Sequence, residues 1–332
     1  MVVAALAAMT ACAGGKGNNA ATEETASDST FEFTGNPIVR NKFTADPAPM
    51  VHDGRLYLYV GHDEYYEGQD TASGGHEFNI TEWLCYSTDD MKTWTDHGSV
   101  LRPTDFKWAV GEAWASQVVE KDGKFYYFVT AQGGEPYVGK CVGVAVGDSP
   151  TGPFTDAIGK PLVSDDMTDN GARGWWNDID PTVLIDGDDA WLCWGNGTCF
   201  LAKLKPSLTE IDGEIQVLDV PNYVEGPWLH KRGDIYYLTY ASMGGRNEAI
   251  DYATAPSMKG PWTHRGQLTG NAENSFTIHP GIIEFGGKWY LFYHNASLEI
   301  DSIKGAIGRR SVCVDTLGYN PDGTMIPVIQ TK

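Results

Sequence analysis

One pattern recurs along the chain: an apolar run, a polar turn carrying glycine, then a stretch in which aromatic residues alternate. Its copies are His52-Asp53-Gly54-Arg55-Leu56-Tyr57-Leu58-Tyr59, Asp122-Gly123-Lys124-Phe125-Tyr126-Tyr127-Phe128, and Asp186-Gly187 leading to Trp191-Leu192-Cys193-Trp194. Two more follow, Arg232-Gly233-Asp234-Ile235-Tyr236-Tyr237-Leu238 and Gly286-Gly287-Lys288-Trp289-Tyr290-Leu291-Phe292-Tyr293. Aromatics in alternation favour strands, and a glycine-bearing turn between apolar runs reads as a β-hairpin. The reference glycines stand at 54, 123, 187, 233 and 287, in steps of 69, 64, 46 and 54 residues. A third strand often follows, as at Cys85-Tyr86-Ser87, Ala145-Val146 and Tyr252-Ala253. Three or four strands repeated five times is the arithmetic of an all-β, five-bladed β-propeller with long insertions in its first two blades. Strand count alone also allows a two-sheet sandwich.

The repeat gives a register. Eight residues before the reference glycine stand Asp46, Ala115, Glu225 and His279; in a third blade read as one residue shorter, seven back from Gly187 stands Asp180. Inner strands of a propeller line one central channel, so Asp46, Asp180, Glu225 and His279 are expected to converge. Asp-Pro alone is an ordinary turn opener; the shared register is what favours a site. Carboxylates held close raise one another's pKa values, and a protonated carboxyl beside an ionised one is the acid/base pair of glycoside hydrolysis.

The N-terminus reads as an address. Residues 2–9 are apolar but too few to span a bilayer. Met9-Thr10-Ala11-Cys12 resembles a bacterial lipobox, with Cys12 as the lipidated residue and residues 1–35 as signal and flexible tether. An ordinary secretory signal is the alternative; both place residues 36–332 in an exported protein, lipid-anchored in the periplasm or on the cell surface, or secreted. Of the six cysteines, five remain beyond Cys12, and the odd count argues against a complete disulfide framework. Cys193 and Cys199 flank Gly195-Asn196-Gly197 and could bridge a hairpin.

Composition narrows the partners. Lys plus Arg number 24 and Asp plus Glu 44, a net charge of −20. Such a surface does not suit nucleic acid, or a membrane except through the N-terminal lipid. A neutral polysaccharide needs no basic surface.

At Thr44-Ala45-Asp46-Pro47, Ile179-Asp180-Pro181-Thr182, Glu225-Gly226-Pro227-Trp228, His279-Pro280-Gly281 and Arg309-Arg310-Ser311-Val312-Cys313 the sequence resembles glycoside hydrolase family 43. The resemblance covers about residues 36–330, and its implied fold, a five-bladed propeller, agrees with the repeat count. It implies an inverting enzyme that releases α-L-arabinofuranose or β-D-xylose from arabinoxylan, arabinan or xylo-oligosaccharides of the plant cell wall. By that resemblance Asp46 is the general base, Glu225 the general acid, and Asp180 tunes the pKa of Glu225 and holds its orientation. His279 resembles an axial histidine near a central Ca²⁺, although calcium prefers oxygen ligands. A channel histidine without metal stays open. Arg310 matches the family's substrate-contacting arginine, with Arg309 sent the other way by strand alternation.

Trp114, at the mouth of the second blade, is a candidate sugar platform or a packing residue. Trp175-Trp176-Asn177-Asp178 approaches Asp180 with the same two readings. Asp63, Glu64 and Tyr65 are rim candidates without a spacing argument. A non-catalytic carbohydrate-binding propeller is the competing function, disfavoured because three carboxylates in one pocket are costly without chemistry. Fructan-active five-bladed enzymes are set aside because no Asn accompanies Asp46 at the first motif. Loops near residues 62–82 and 164–176 are expected to set arabinose against xylose, which the sequence leaves open. The chain is expected to act as a monomer.

Overall fold

The computed structural model describes residues 28–168, 176–243 and 245–332. Cys12 and Trp175 therefore lie outside the described residues. Among the described residues five antiparallel sheets follow one another along the chain, with a two-stranded ribbon, Glu299–Ile300 and Ile303–Lys304, inserted in the fifth. Their inner strands are Thr44–His52, Ser116–Lys121, Thr182–Asp186, Tyr223–Arg232 and Gly281–Phe285. Each inner strand packs against those of its two neighbours, the fifth returning to the first, so the sheets close a ring. This is the five-bladed propeller; the sandwich is excluded. One short α-helix, Gln69–Ser73, interrupts the β-structure of the first insertion among the described residues.

The blades hold together through the alternating aromatics. Tyr59 of blade one, with its ring 5.3 Å from Tyr127 of blade two, and Trp83, 6.0 Å from the same ring, are fully buried. Burying such rings contributes about 1.5–3 kcal/mol each. Cys85, Cys141, Cys193, Cys199 and Cys313 are buried free thiols. The Sγ atoms of Cys193 and Cys199 stand 3.5 Å apart, unbonded.

One boundary differs from the sequence reading. Ser29–Glu32, within the stretch assigned to the tether, pairs with Thr93–Leu101 as the outermost strand of blade one. The ring is then closed by the stretch after it. Val314 N–H donates to Asn36 Oδ1, Ile38 N–H to the Val312 carbonyl and Thr44 N–H to the Arg310 carbonyl. Residues 36–44 are thus laid along the last strand of blade five, Ser311–Leu317.

The register also shifts. The hairpin turns are Asp53-Gly54, Asp122-Gly123, Gly187-Asp188, Gly233-Asp234 and Gly286-Gly287. In blades three and four glycine takes the first central position, and in the others the second. Blade three is therefore not shorter; its reference glycine is one place earlier. Six residues before each inner strand's end stand Asp46, Ala115, Asp180, Gly226 and His279. Glu225 precedes the equivalent position by one residue.

Candidate active site

Three of the five equivalent residues share a left-handed backbone: Asp46 at φ 55°, Asp180 at φ 60° and Gly226 at φ 56°. This conformation is uncommon for residues with a Cβ and breaks the pairing register locally. The break lets Glu225 enter the same pocket as the two aspartates despite its one-residue offset: the ladder skips from Glu225 to Trp228. Gly226 is required twice over, by its φ and because a Cβ there would stand 2.8 Å from the His279 ring.

The four side chains meet around one imidazole. His279 Nδ1 lies 3.1 Å from Asp46 Oδ1, and Nε2 lies 3.1 Å from Glu225 Oε1 and 3.8 Å from Asp180 Oδ2. Burial alone would discharge this histidine, but Asp46, Asp180 and Glu225 outweigh it and carry its pKa to about 10. At neutral pH it is therefore a cation that donates from Nε2 to Glu225 and stands in ion-pair contact with Asp46 through Nδ1. Burial, with Glu225 and Asp46 adding to it against His279, pushes Asp180 up to about 7. Asp180 accepts the Gly226 N–H at 2.9 Å, so it grips the backbone immediately after Glu225.

Glu225 has a second partner: Asn196 Nδ2 donates to its Oε2 at 2.6 Å. Asp46 has two more. Arg310 Nη1 donates to Oδ1 at 3.0 Å, and the backbone N–H of Asp46 donates to His294 Nδ1 at 3.3 Å. Burial, then Arg310 and His279, hold His294 well below the usual imidazole range, so it is neutral. With Nδ1 accepting, Nε2 carries the proton and donates to Thr277 Oγ1 at 2.9 Å.

Arg310 is anchored by a residue whose role spacing did not reveal. Asp63, fully buried, accepts from Arg310 Nε at 2.9 Å, Nη2 at 3.0 Å and the backbone N–H at 2.8 Å. Arg309 turns away to Asp70 at 2.7 Å and Gln69 at 2.6 Å, pinning the short helix. Asp63, Asn196 and His294 share a recoverable signal. Each lies within two residues of the end of the second strand of its hairpin, and antiparallel pairing sets that end beside the start of the inner strand.

Above the acid cluster opens a cavity of about 370 Å³, walled by Phe78, Trp114, Trp176, Met243 and Phe276, with His76 and Ile307. Trp114 meets Trp176 edge-on at 5.3 Å and Phe78 at 6.1 Å, while the Lys140 ammonium sits 3.8 Å over its ring. Burial lowers Lys140 to about 7. Both insertions expected to shape the pocket reach it, through Phe78 and Trp176. Asp178 stays beneath, accepting from Trp194 Nε1 at 2.9 Å, and burial raises it to about 6. Glu64 pairs with His62 away from the cavity, and Tyr65 lies under the Arg309 guanidinium. Below the acids Pro47, Pro181, Pro227 and Pro280 close the channel to about 20 Å³.

Asp180, Glu225 and His279 offer donor atoms within 4.8 Å of one another, the make-up of a possible cation site. They suit calcium poorly. Calcium takes six to eight oxygens, this set holds two carboxylates and an imidazole, and both imidazole nitrogens already face carboxylates.

The model of glycosyl hydrolases family 43 matches residues 34–325. An arabinoxylan arabinofuranohydrolase of Bacillus subtilis is 30% identical, the match covering 96% of this chain and 68% of that protein. A xylosidase/arabinosidase of Bacteroides ovatus is 31% identical, over 88% of this chain and 96% of that one. A β-xylosidase/α-arabinofuranosidase from a compost microbial metagenome, solved with xylotriose in a calcium-free form, superposes with a TM-score of 0.75. It is 26% identical, over 90% of this chain and 98% of that one.

Proposed function

The chain belongs to glycosyl hydrolases family 43, and from that premise we propose that it is an inverting, exo-acting hydrolase. It removes terminal or side-chain pentose, α-L-arabinofuranose or β-D-xylose, from arabinoxylan, arabinan or xylo-oligosaccharides. The observation that carries this reading is the pair of carboxylates held on opposite nitrogens of His279 at the base of a closed pocket. A ring's width plus two 3.1 Å contacts is of the same order as the roughly 6.5–9.5 Å that inversion needs for an intervening water. Asp46, held by Arg310 and His279, takes the proton of the attacking water. Glu225, steadied by Asn196 and His279, gives a proton to the leaving oxygen. Asp180 positions Glu225 through Gly226. The proline floor supports removal of single end residues, because a chain cannot thread through.

Trp114, Arg310 and His279 bound the sugar subsite. No step runs through a metal, since the donor set fits calcium poorly and His279 already carries positive charge between the acids. The protein acts as a monomer. We also propose export with lipid on Cys12, supported by the apolar run 2–9 and Met9-Thr10-Ala11-Cys12; loss of lipid labelling in Cys12→Ala tests it. Function is tested with 4-nitrophenyl α-L-arabinofuranoside and β-D-xyloside, and by NMR of the first-formed anomer. Absence of turnover on both glycosides and on arabinoxylan, with sugar binding retained, would establish the binding-module alternative.

A further inference from the structure

Glu248 is a fourth carboxyl group of the pocket, and the acid/base cycle has no use for it. It opens the third strand of blade four, Glu248–Ala255, and is 1% exposed while lining the cavity with Glu225, Thr277 and His279. Its backbone is pinned on both sides: the N–H donates to the Phe276 carbonyl at 2.9 Å and the carbonyl accepts from Asn271 Nδ2 at 2.8 Å. Oε2 accepts the Ile278 N–H at 3.1 Å. Oε1 is buried and has no hydrogen-bond partner. A buried polar atom left without a partner is costly, and among the described residues no arginine or lysine is paired with this carboxyl.

The charge state follows from the surroundings. Burial first, then the charge of Glu225, push the Glu248 carboxyl well above the usual carboxylate range, against the pull of His279 and of the Ile278 N–H. A carboxylic acid that accepts an N–H on Oε2 carries its proton on Oε1. The unsatisfied atom is therefore an O–H donor buried in the wall of the cavity. Asn196, which donates to Glu225 through Nδ2 and lines the same cavity, holds in Oδ1 a buried acceptor that also lacks a partner. An unfilled donor and an unfilled acceptor flanking the leaving-group acid match a neutral ligand that bears several hydroxyls.

We propose that Glu248 is a substrate-binding residue whose Oε1–H donates to a hydroxyl oxygen of the pentose held against Glu225. The inference rests on the glycosidase reading and deepens it by naming a specificity contact. It makes Glu248 a reader of hydroxyl position: a sugar lacking that hydroxyl leaves the buried O–H unfilled, and such sites discriminate strongly.

The test uses Glu248→Gln and Glu248→Leu in the full chain, with 4-nitrophenyl pentosides and their monodeoxy analogues. Gln keeps an N–H donor and an acceptor, so kcat/KM should stay within about five-fold of the unaltered protein. Leu removes the donor and should lower kcat/KM by roughly 10–100-fold, chiefly through KM, as one lost hydrogen bond and its unpaired partner predict. One deoxy analogue should be penalised by the unaltered protein but not further by Glu248→Leu, the signature of a shared contact. Melting curves of both variants separate this from misfolding. The inference is overturned if Glu248→Leu melts normally and keeps its kcat/KM, or if every analogue loses equally in both proteins. Failure of the unaltered protein to turn over any pentoside would instead overturn the glycosidase reading.

Discussion

Two neighbouring arginines at the start of the last strand make similar contacts in different surroundings, and Asp63→Asn exploits the contrast. Asp63 accepts three hydrogen bonds from Arg310, with both side chains almost wholly buried. Removing the charge leaves a buried guanidinium with Asp46 as its remaining ionic partner. Breaking one side of such a pair costs about 3–5 kcal/mol. The lower end applies here, since Asn keeps the shape and one acceptor. At about 2–3 °C per kcal/mol for a domain of this size, the melting midpoint should fall by roughly 6–10 °C. The control is Asp70→Asn. Asp70 pairs with Arg309, whose side chain is as buried as that of Arg310, but Asp70 itself is 60% exposed, so water screens the pair. Arg309 also keeps Gln69 and the Lys304 carbonyl as partners, and a screened pair contributes about 0–1 kcal/mol, so the midpoint should move by no more than about 2 °C. Differential scanning calorimetry on both variants reads the comparison directly. Activity should follow for Asp63→Asn alone, because Arg310 also holds Asp46. Equal shifts in the two variants, or an unchanged midpoint in Asp63→Asn, would refute the claim that burial makes the Arg310 pair structural.

Glu225→Gln and Asp46→Asn should each lower kcat by about 10²–10⁴, the usual worth of a general acid or base, with folding intact; an unchanged rate in either reassigns its role. Trp114→Ala should raise KM more than it lowers kcat, by about ten-fold for a lost apolar wall and ring contact, and a pure kcat effect would argue against a sugar-facing ring. His279 supplies a pH test. Its folded pKa of about 10 exceeds the ordinary 6.5, so its stabilisation is complete below 6.5 and lost as pH rises through 10. Asp180, raised from 3.8 to about 7, runs in the same direction: its contribution is complete below 3.8 and lost as pH climbs through 7. The melting midpoint should therefore decline from pH 7 to 10, and His279→Gln should flatten that decline; parallel curves for the two proteins would place the proton elsewhere.

Much of this was legible in the sequence because it is local. Period-two aromatics and turn glycines specify hairpins without reference to anything distant, and five such units fix the architecture. Asp46, Asp180, Glu225 and His279 could be picked out because repeats place related positions at one end of a channel. The offset of Glu225 could not be counted correctly, since a glycine at either central turn position looks alike in sequence. Only the strand pairing shows which residue opposes which. Tertiary structure alone decided that Glu248 joins the site and which partners Asp63, Asn196 and His294 take there. They come from other strands and loops of their blades and acquire meaning through partners far away in the chain, as Asp63 does through Arg310. It also decided the charge of His279, which depends on three carboxylates contributed by three other blades. Hydrophobic pattern is a property of neighbouring residues, whereas a buried ionic network is a property of ring closure, which sets the distance and desolvation that govern each charge.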